Sequence, residues 1–187
     1  MLNPFFDKFV FTNGLKFRHN NFFLINLPFF IVPVEVLAGL LDNSDNEFNK
    51  KLYYSLKESV KKRFMKQMSR EFGLKGEKMI GFLEKFFSAS GWGSVKHVDL
   101  NFQKTEALVS VSNNPFSSFI KSSKQPVDHL HRAVFAGLFS SAFGKDVECV
   151  EVKCSSLGNE TCEFVVRPQS MLDLKNPNTR NQVNFNA

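Results

Sequence analysis

The stretch Asp146–Arg167, DVECVEVKCSSLGNETCEFVVR, sets Glu151, Cys154 and Cys162 around one tight turn. Valine-rich Asp146–Lys153 reads as one strand, Ser155, Ser156, Gly158 and Asn159 as the turn, and Thr161–Val166 as the return strand. Two thiols at the mouth of a hairpin, with a carboxylate three residues upstream, are three donors of the kind tetrahedral zinc takes. The same cysteines also read as small apolar residues filling a core, where free cysteine is commonly found. Spacing leaves both readings open.

Upstream, the signals alternate between sheet and helix. Lys8–Thr12 and Leu15–Arg18 flank Asn13-Gly14, a strong hairpin signal, and Phe22–Leu27 extends that sheet. Pro33 opens a short helix through Leu41. Glu47–Phe72 is predicted as the longest helix, its Leu52, Leu56, Val60, Phe64, Met68 and Phe72 recurring every fourth position, until Gly73 stops it. Glu77–Phe87 is a second amphipathic helix, after which Gly91-Trp92-Gly93 releases the chain into strands Val95–Phe102 and Ala107–Val111. Pro126 starts the last long helix, which ends near Gly144.

Composition bounds the function. At 187 residues the chain suits one domain, long enough to bury roughly 70% of its unfolded surface without covalent staples. Three cysteines form no even disulfide framework, and Met1–Lys8 carries no secretory pattern, so a cytoplasmic location is expected. Phe22–Leu41 is the most apolar stretch, but Asn26, Pro28, Pro33 and Glu35 interrupt it, and no membrane span is expected. Lys50, Lys51, Lys57, Lys61, Lys62, Arg63 and Lys66 crowd the long helix against a lone Glu58. This is the solvated face of an amphipathic helix rather than a nucleic-acid footprint, since no zinc-finger, RNP-like or helix-turn-helix pattern accompanies it. No nucleophile elbow, phosphate loop or dinucleotide fingerprint occurs. Asp128 and His131, at i and i+3, could form an acid/base pair, but the first turn of a helix favours an acid in any case.

Taken in order, Ala136-Gly137, the E-x-x-C of Glu151-Val152-Lys153-Cys154 and the G-x-x-x-C-x-F of Gly158–Phe164 resemble the closing motifs of the vinyl-4-reductase (4-vinyl reductase) domain family, which comprises hydrocarbon- and small-molecule-binding proteins. Gly91-Trp92-Gly93 resembles the family's middle section. The resemblance implies an α+β, two-layer fold in which a twisted antiparallel sheet packs against long helices and closes on a β-hairpin. Ligand-binding domains of nitric-oxide signalling and Golgi transport are related to it. Residues 1–167 are then one ligand-binding domain, with an opening segment and short helix over 21–45 and a helix plus metal-hairpin motif over 126–167. Residues 168–187, rich in asparagine, are expected to be a mobile tail, with docking of Met171–Leu174 on a partner as the alternative.

The resemblance also implies a structural zinc. In relatives that sense aromatic compounds a helix cysteine completes the set, and here that place falls on Asp128, giving Asp128, Glu151, Cys154 and Cys162. Asp128 departs from the pattern. A carboxylate oxygen can bind zinc, and His129 offers nitrogen instead. Cys149 is a further candidate, because it shares a strand face with Glu151. For the ligand, Phe64, Met68, Phe82, Phe86, Trp92, Phe135 and Phe139 lie on core-facing stripes and are the expected pocket lining, although each also reads as core packing. The histidine pattern that would hold haem is absent. Three functions follow: a sensory or regulatory domain for an apolar small molecule, a tetrapyrrole vinyl reductase or its accessory, and a scaffold subunit. A homodimer is expected on general grounds.

Overall fold

The computed structural model describes residues 15–24, 27–42, 44–120, 125–126 and 128–185. The expected strand Lys8–Thr12 and its Asn13-Gly14 turn lie outside them. The return strand is present as β1 (Leu15–Arg18), joined to β2 (Asn21–Leu24) and β3 (Leu27–Phe29) in an antiparallel meander. Its first turn uses His19 and Asn20, both at positive φ (49° and 62°), which matches the right-handed twist of a two-residue hairpin. Helix α1 spans Val34–Asp42.

The long helix runs as α2 (Asn46–Ser59), a π-helical turn Val60–Phe64 and α3 (Met65–Phe72). Asp45 caps its start by accepting from the Phe48 amide at 2.7 Å, and Gly73 ends it in the left-handed region. A strict every-fourth stripe drifts around a 3.6-residue helix, and the wide π turn realigns it. Before that turn the buried face is Asn49, Tyr53 and Lys57, and after it Met65 and Met68. Lys57 therefore does not belong to the solvated basic face. It is 2% exposed and pairs with Glu148 at 2.7 Å and Asp146 at 2.9 Å. Burial alone would lower its pKa, but these two carboxylates outweigh that effect and raise it. Lys61 also reaches Asp146, and Lys62 reaches Glu58, so the row is more balanced than its sequence suggests.

Helix α4 (Gly76–Ala89) leads through the Gly91–Gly93 turn into β4 (Ser94–Asn101) and β5 (Glu106–Ser112). Gly93 lies so close to β5 that an added Cβ would stand 2.9 Å from the Ser112 carbonyl oxygen and from Val111 Cγ1. A short helix not foreseen from the sequence, α5 (Pro115–Phe119), follows an Asn114 cap. Helix α6 spans His129–Phe143, shorter than expected from Pro126, because Asp128 takes the N-cap and accepts from the His131 amide. Strands β6 (Glu148–Lys153) and β7 (Cys162–Arg167), joined through a 3-10 turn at Ser155–Leu157, form the expected hairpin. The sheet order is β4-β5-β7-β6, antiparallel throughout. Alternation puts Ala107, Val109 and Val111 of β5 and Cys162, Phe164 and Val166 of β7 on the inward face. Phe29 against Phe86, with centroids 6.1 Å apart, ties the first sheet to this core.

Residues 168–185 correct the expectation of a loose tail. A 3-10 turn at Gln169–Met171 and helix α7 (Pro177–Asn184) fold back on β6. Leu172 and Val183 pack on the outward side of β6 against Val150, while Cys149 faces the main core. The Gln182 side chain accepts from the Glu151 amide at 2.8 Å and donates to the Glu151 carbonyl at 2.9 Å, filling a gap in the strand's hydrogen bonding. The asparagine-rich composition hid this, because only a few residues of the segment carry the contact. Among the described residues no helix is long and apolar enough to cross a membrane.

Every residue of α6 from His131 to Ser140 is buried. Gly137 allows this, since a Cβ there would collide with the Lys57 carbonyl oxygen and stand 2.9 Å from Val60 Cβ. Gly137→Ala should therefore destabilise the protein by about 1–3 kcal/mol despite alanine's better helix propensity. Urea unfolding checks this, and an unchanged or raised midpoint would show that the two helices separate at little cost.

Candidate functional site

Strand β6 delivers Glu151 inward, the chain then turns at Cys154, and β7 returns Cys162 to the same place. One ligand atom from each of Glu151, Cys154 and Cys162 lies within 4.8 Å of the others, and all three residues are buried. Tetrahedral zinc with sulfur and oxygen donors needs neighbours about 3.3–3.8 Å apart, so a small contraction would close the set. Glu151 Oε1 has no hydrogen-bond partner although it is buried, as expected of a carboxylate oxygen placed to bind something else. Cys162 Sγ instead has donors on several sides: the Ser155 amide and hydroxyl and Asn114 Nδ2, each at 3.3 Å, with the Ser117 hydroxyl at 3.6 Å.

These contacts divide the charge unequally. Sharing a hydrogen bond with Cys154 and accepting from Ser155 bring the Cys162 thiol down to about 4. Cys154 is pushed above the ordinary thiol range by that same shared bond and by burial. Burial, and then the charge of Asp128, push Glu151 up to about 9. A divalent cation bound here would favour the deprotonated forms of these groups and displace the protons they hold.

Asp128 stands beside this cluster but not within it. Its Oδ1 accepts from the His131 amide at 2.9 Å, and Oδ2 accepts from His131 Nδ1 and Asn114 Nδ2, each at 2.6 Å. The Asp128 amide donates to Glu151 Oε2 at 3.2 Å. Helix capping and a buried ion pair thus occupy the carboxylate expected as a fourth ligand. His131 Nε2 lies 2.9 Å from the Trp92 carbonyl oxygen. With Asp128 ionised, the state its lowered pKa favours, both partners of the ring accept, so both ring nitrogens carry protons and His131 is an imidazolium. Burial would lower its pKa, but Asp128's charge and hydrogen bond outweigh that effect and raise it. Burial would likewise raise Asp128, and His131 holds it below its usual value.

The two alternative ligands also have other places. His129 accepts from Arg132 Nη1 at 3.0 Å, and burial, followed by the Arg132 charge, brings its pKa down to about 3. The thiol of Cys149 lies in the main core and is pushed up by burial. Arg132 itself is 1% exposed. Its Nε donates to the Cys149 carbonyl, its Nη2 donates to the Gln182 carbonyl, and its guanidinium lies 5.0 Å from the Tyr53 ring centroid.

A small apolar cavity lies at the other end of this assembly. Its walls are Ile80, Leu83 and Phe87 of α4, Val95 and Val109 of β4 and β5, and Phe135, Leu138 and Phe139 of α6, and its polar residues are Glu84 and His97. Its volume of about 10 Å³ is room for no more than a water-sized guest as the walls stand. Of the expected pocket residues, Phe135 and Phe139 line it, whereas Phe64, Met68, Phe82, Phe86 and Trp92 pack around it. The missed wall had a signal: Ile80, Leu83 and Phe87 are helical neighbours, and His97 is paired across the ladder with Val109. Trp92 touches Phe87 of the cavity wall and His131 edge-on, with centroids 5.4 and 5.2 Å apart, so side-chain contacts run from the cavity to the Asp128–His131 pair.

Residues 108–168 match the family model of the vinyl-4-reductase domain, in agreement with the resemblance carried by the hairpin motifs. The matched segment contains Asp128, Glu151, Cys154 and Cys162. No curated protein matches the chain. Among solved structures it is similar to the phenol-responsive sensory domain of the transcription activator PoxR with phenol, at 14% identity and a TM-score of 0.67, covering 91% of each chain. It is also similar to a trafficking protein particle complex subunit 3 from Naegleria fowleri covalently bound to palmitic acid, at 19% identity and a TM-score of 0.51, covering 72% of this chain and 93% of that one. A vinyl-4-reductase family protein from Methanocaldococcus jannaschii aligns at 16% identity and a TM-score of 0.42, covering 72% of this chain and 89% of that one. At such identities the shared property is the fold.

The buried ion pair makes stability depend on pH in two directions. The Asp128 contribution is complete above its unfolded value of about 3.9 and is lost as pH falls through its lowered folded value. The His131 contribution is complete below its unfolded value of about 6.5 and is lost as pH rises through its raised folded value. Asp128→Asn keeps a helix cap but removes the charge, so in metal-free protein its stability deficit should be largest between about pH 4 and 6.5. Denaturant titrations of both proteins across pH check this, and a deficit independent of pH would show that His131 is neutral.

Proposed function

We propose that this chain is a small-molecule-binding sensory or regulatory domain whose ligand is an apolar compound held between α4, the β4–β5 face and α6. The observation that carries this reading is the cavity itself, a space with eight apolar lining residues and a single polar pair. Such a space, in a domain whose described residues form no evident catalytic constellation, suits recognition better than turnover. The walls are side chains of separate elements, so a ligand larger than water requires them to move apart. The phenol of one structural relative and the palmitic acid of another are largely apolar compounds, which supports the same use of the fold here.

A structural zinc held by Glu151, Cys154 and Cys162 belongs to this reading. Its role is to fix the hairpin that anchors α6 and α7, and Asp128 becomes a fourth ligand only by releasing Asn114 or His131. A homodimer fits the same picture, with exposed Val36 and Leu40 one turn apart on α1 and exposed Phe30 and Ile31 just before them.

Two experiments test the proposal. In a thermal-shift panel of aromatic and aliphatic compounds, a ligand at a hundred times its dissociation constant should stabilise the protein by about 2.7 kcal/mol, and Val109→Phe should abolish the response by filling the cavity. No shift from any compound would remove the sensory reading. For the metal, protein purified without chelator should contain zinc, and Cys154→Ser and Cys162→Ser should each lose it. Binding displaces protons, so zinc affinity should also fall with falling pH. Metal-free protein together with near-native stability of both serine variants would return these cysteines to plain packing.

A further inference from the structure

The two cysteines at the hairpin mouth face each other. The last ladder pair of β6 and β7 is Lys153 with Glu163, so the next antiparallel step sets Cys154 opposite Cys162. Lys153 and Glu163 bond to each other on the outer side at 2.9 Å, whereas Cys154 and Cys162 are both buried on the inner side. Their sulfurs lie within 4.8 Å of each other, and both thiols are free. Directly opposed strand residues stand about 4.5–5.5 Å apart at Cα, inside the window of about 4.4–6.8 Å that a disulfide spans. Side-chain rotation therefore joins these sulfurs without moving the strands. Cys149 has no such neighbour, since its ladder partner is Val166. The cover over the pair is short: the 3-10 turn Ser155–Leu157, pinned to α5 through the Ser117 and Ser155 hydroxyls 2.6 Å apart. Residues 157–160 are exposed, so local opening of this turn admits a small oxidant.

We infer that Cys154 and Cys162 are a dithiol–disulfide pair oxidised by hydroperoxides, and that the disulfide form excludes a metal from the cluster. One sulfur attacks the peroxide and breaks its O–O bond, becoming a sulfenic acid as water or an alcohol leaves. The other sulfur attacks the sulfenic sulfur, forms the S–S bond and releases water. The two thiols are oxidised, the peroxide is reduced, and a dithiol reductant reverses the change by exchange. The new bond removes two of the three donors and leaves Glu151 alone, too few ligands for tetrahedral zinc. The exclusion rests on the zinc reading above, whereas the disulfide rests on the hairpin geometry alone.

The test treats reduced, metal-free, full-length protein with hydrogen peroxide and then unfolds it. Thiols are alkylated with one reagent, disulfides are reduced, and the thiols so released are alkylated with a second. Trypsin places Cys149 in peptide 146–153 and Cys154 with Cys162 in peptide 154–175, because Pro168 blocks the cut at Arg167. Cys149 should carry the first label, and Cys154 and Cys162 the second. Cys149→Ser should leave that pattern unchanged, and Cys154→Ser should remove the second label from Cys162. Should Cys154→Ser fail to fold, the label pattern of the unaltered protein decides. In a parallel arm, protein loaded with zinc should release it on oxidation and take it up again after a dithiol is added. First label on Cys154 and Cys162, a disulfide through Cys149, or one between two chains would overturn the pair. A Cys154–Cys162 disulfide in protein that still takes up zinc would overturn the exclusion. The same disulfide in protein whose reduced form takes up no zinc would overturn the exclusion together with the zinc reading and leave the pair standing.

Discussion

The middle of helix α6, His131–Ser140, is covered on every side because Gly137 has no side chain where α6 crosses α2. One missing Cβ lets the two backbones approach, and the π turn at Val60–Phe64 begins at that crossing. The consequences run the length of the helix. Its first turn holds the Asp128–His131 pair beside the hairpin, its middle supplies Phe135 to the cavity, and Leu138 and Phe139 complete that wall. A helix with one solvated face could not serve a metal-type cluster, a cavity and a neighbouring helix together.

Burying so much of α6 also buries charge, and the fold answers each buried charge locally. Lys57 meets Glu148 and Asp146, and His131 meets Asp128. Arg132 rests on backbone carbonyls, a neutral His129 and the faces of Tyr53 and Phe185. Removing one member of such a set leaves its partner charged and dry, which costs more than the intact set contributes. Through Gln182 and Phe185 the set reaches α7, so the end of the described chain is held by the groups that surround Glu151.

Local signals were legible wherever one element determined them. Valine alternation and the Ser155–Asn159 turn marked the hairpin, and the E-x-x-C spacing brought Glu151, Cys154 and Cys162 together as read. Contacts across distant segments were not legible. Lys57 looked solvated because its partners lie about ninety positions away, and the second half of the chain had to fold before its burial made sense. Asp128 was read as a metal ligand by register with the family pattern; its place at the helix start and its i, i+3 pairing with His131 were legible, whereas the Asn114 and Trp92 contacts that complete the pair come from other elements. Of the expected pocket residues only Phe135 and Phe139 line the cavity, because stripes of phenylalanine signal burial without distinguishing a packed core from a cavity wall.

The central claim is that the space between α4, the β4–β5 face and α6 opens to hold a small molecule. Methyl-resolved NMR during a titration with ethylbenzene examines it directly, because Ile80, Leu83, Val95, Val109 and Leu138 each report from the wall. Saturating shifts confined to these methyls, with Val36 and Leu40 on α1 unmoved, are the predicted result. Shifts concentrated at Val36 and Leu40, or none that saturate, would contradict it.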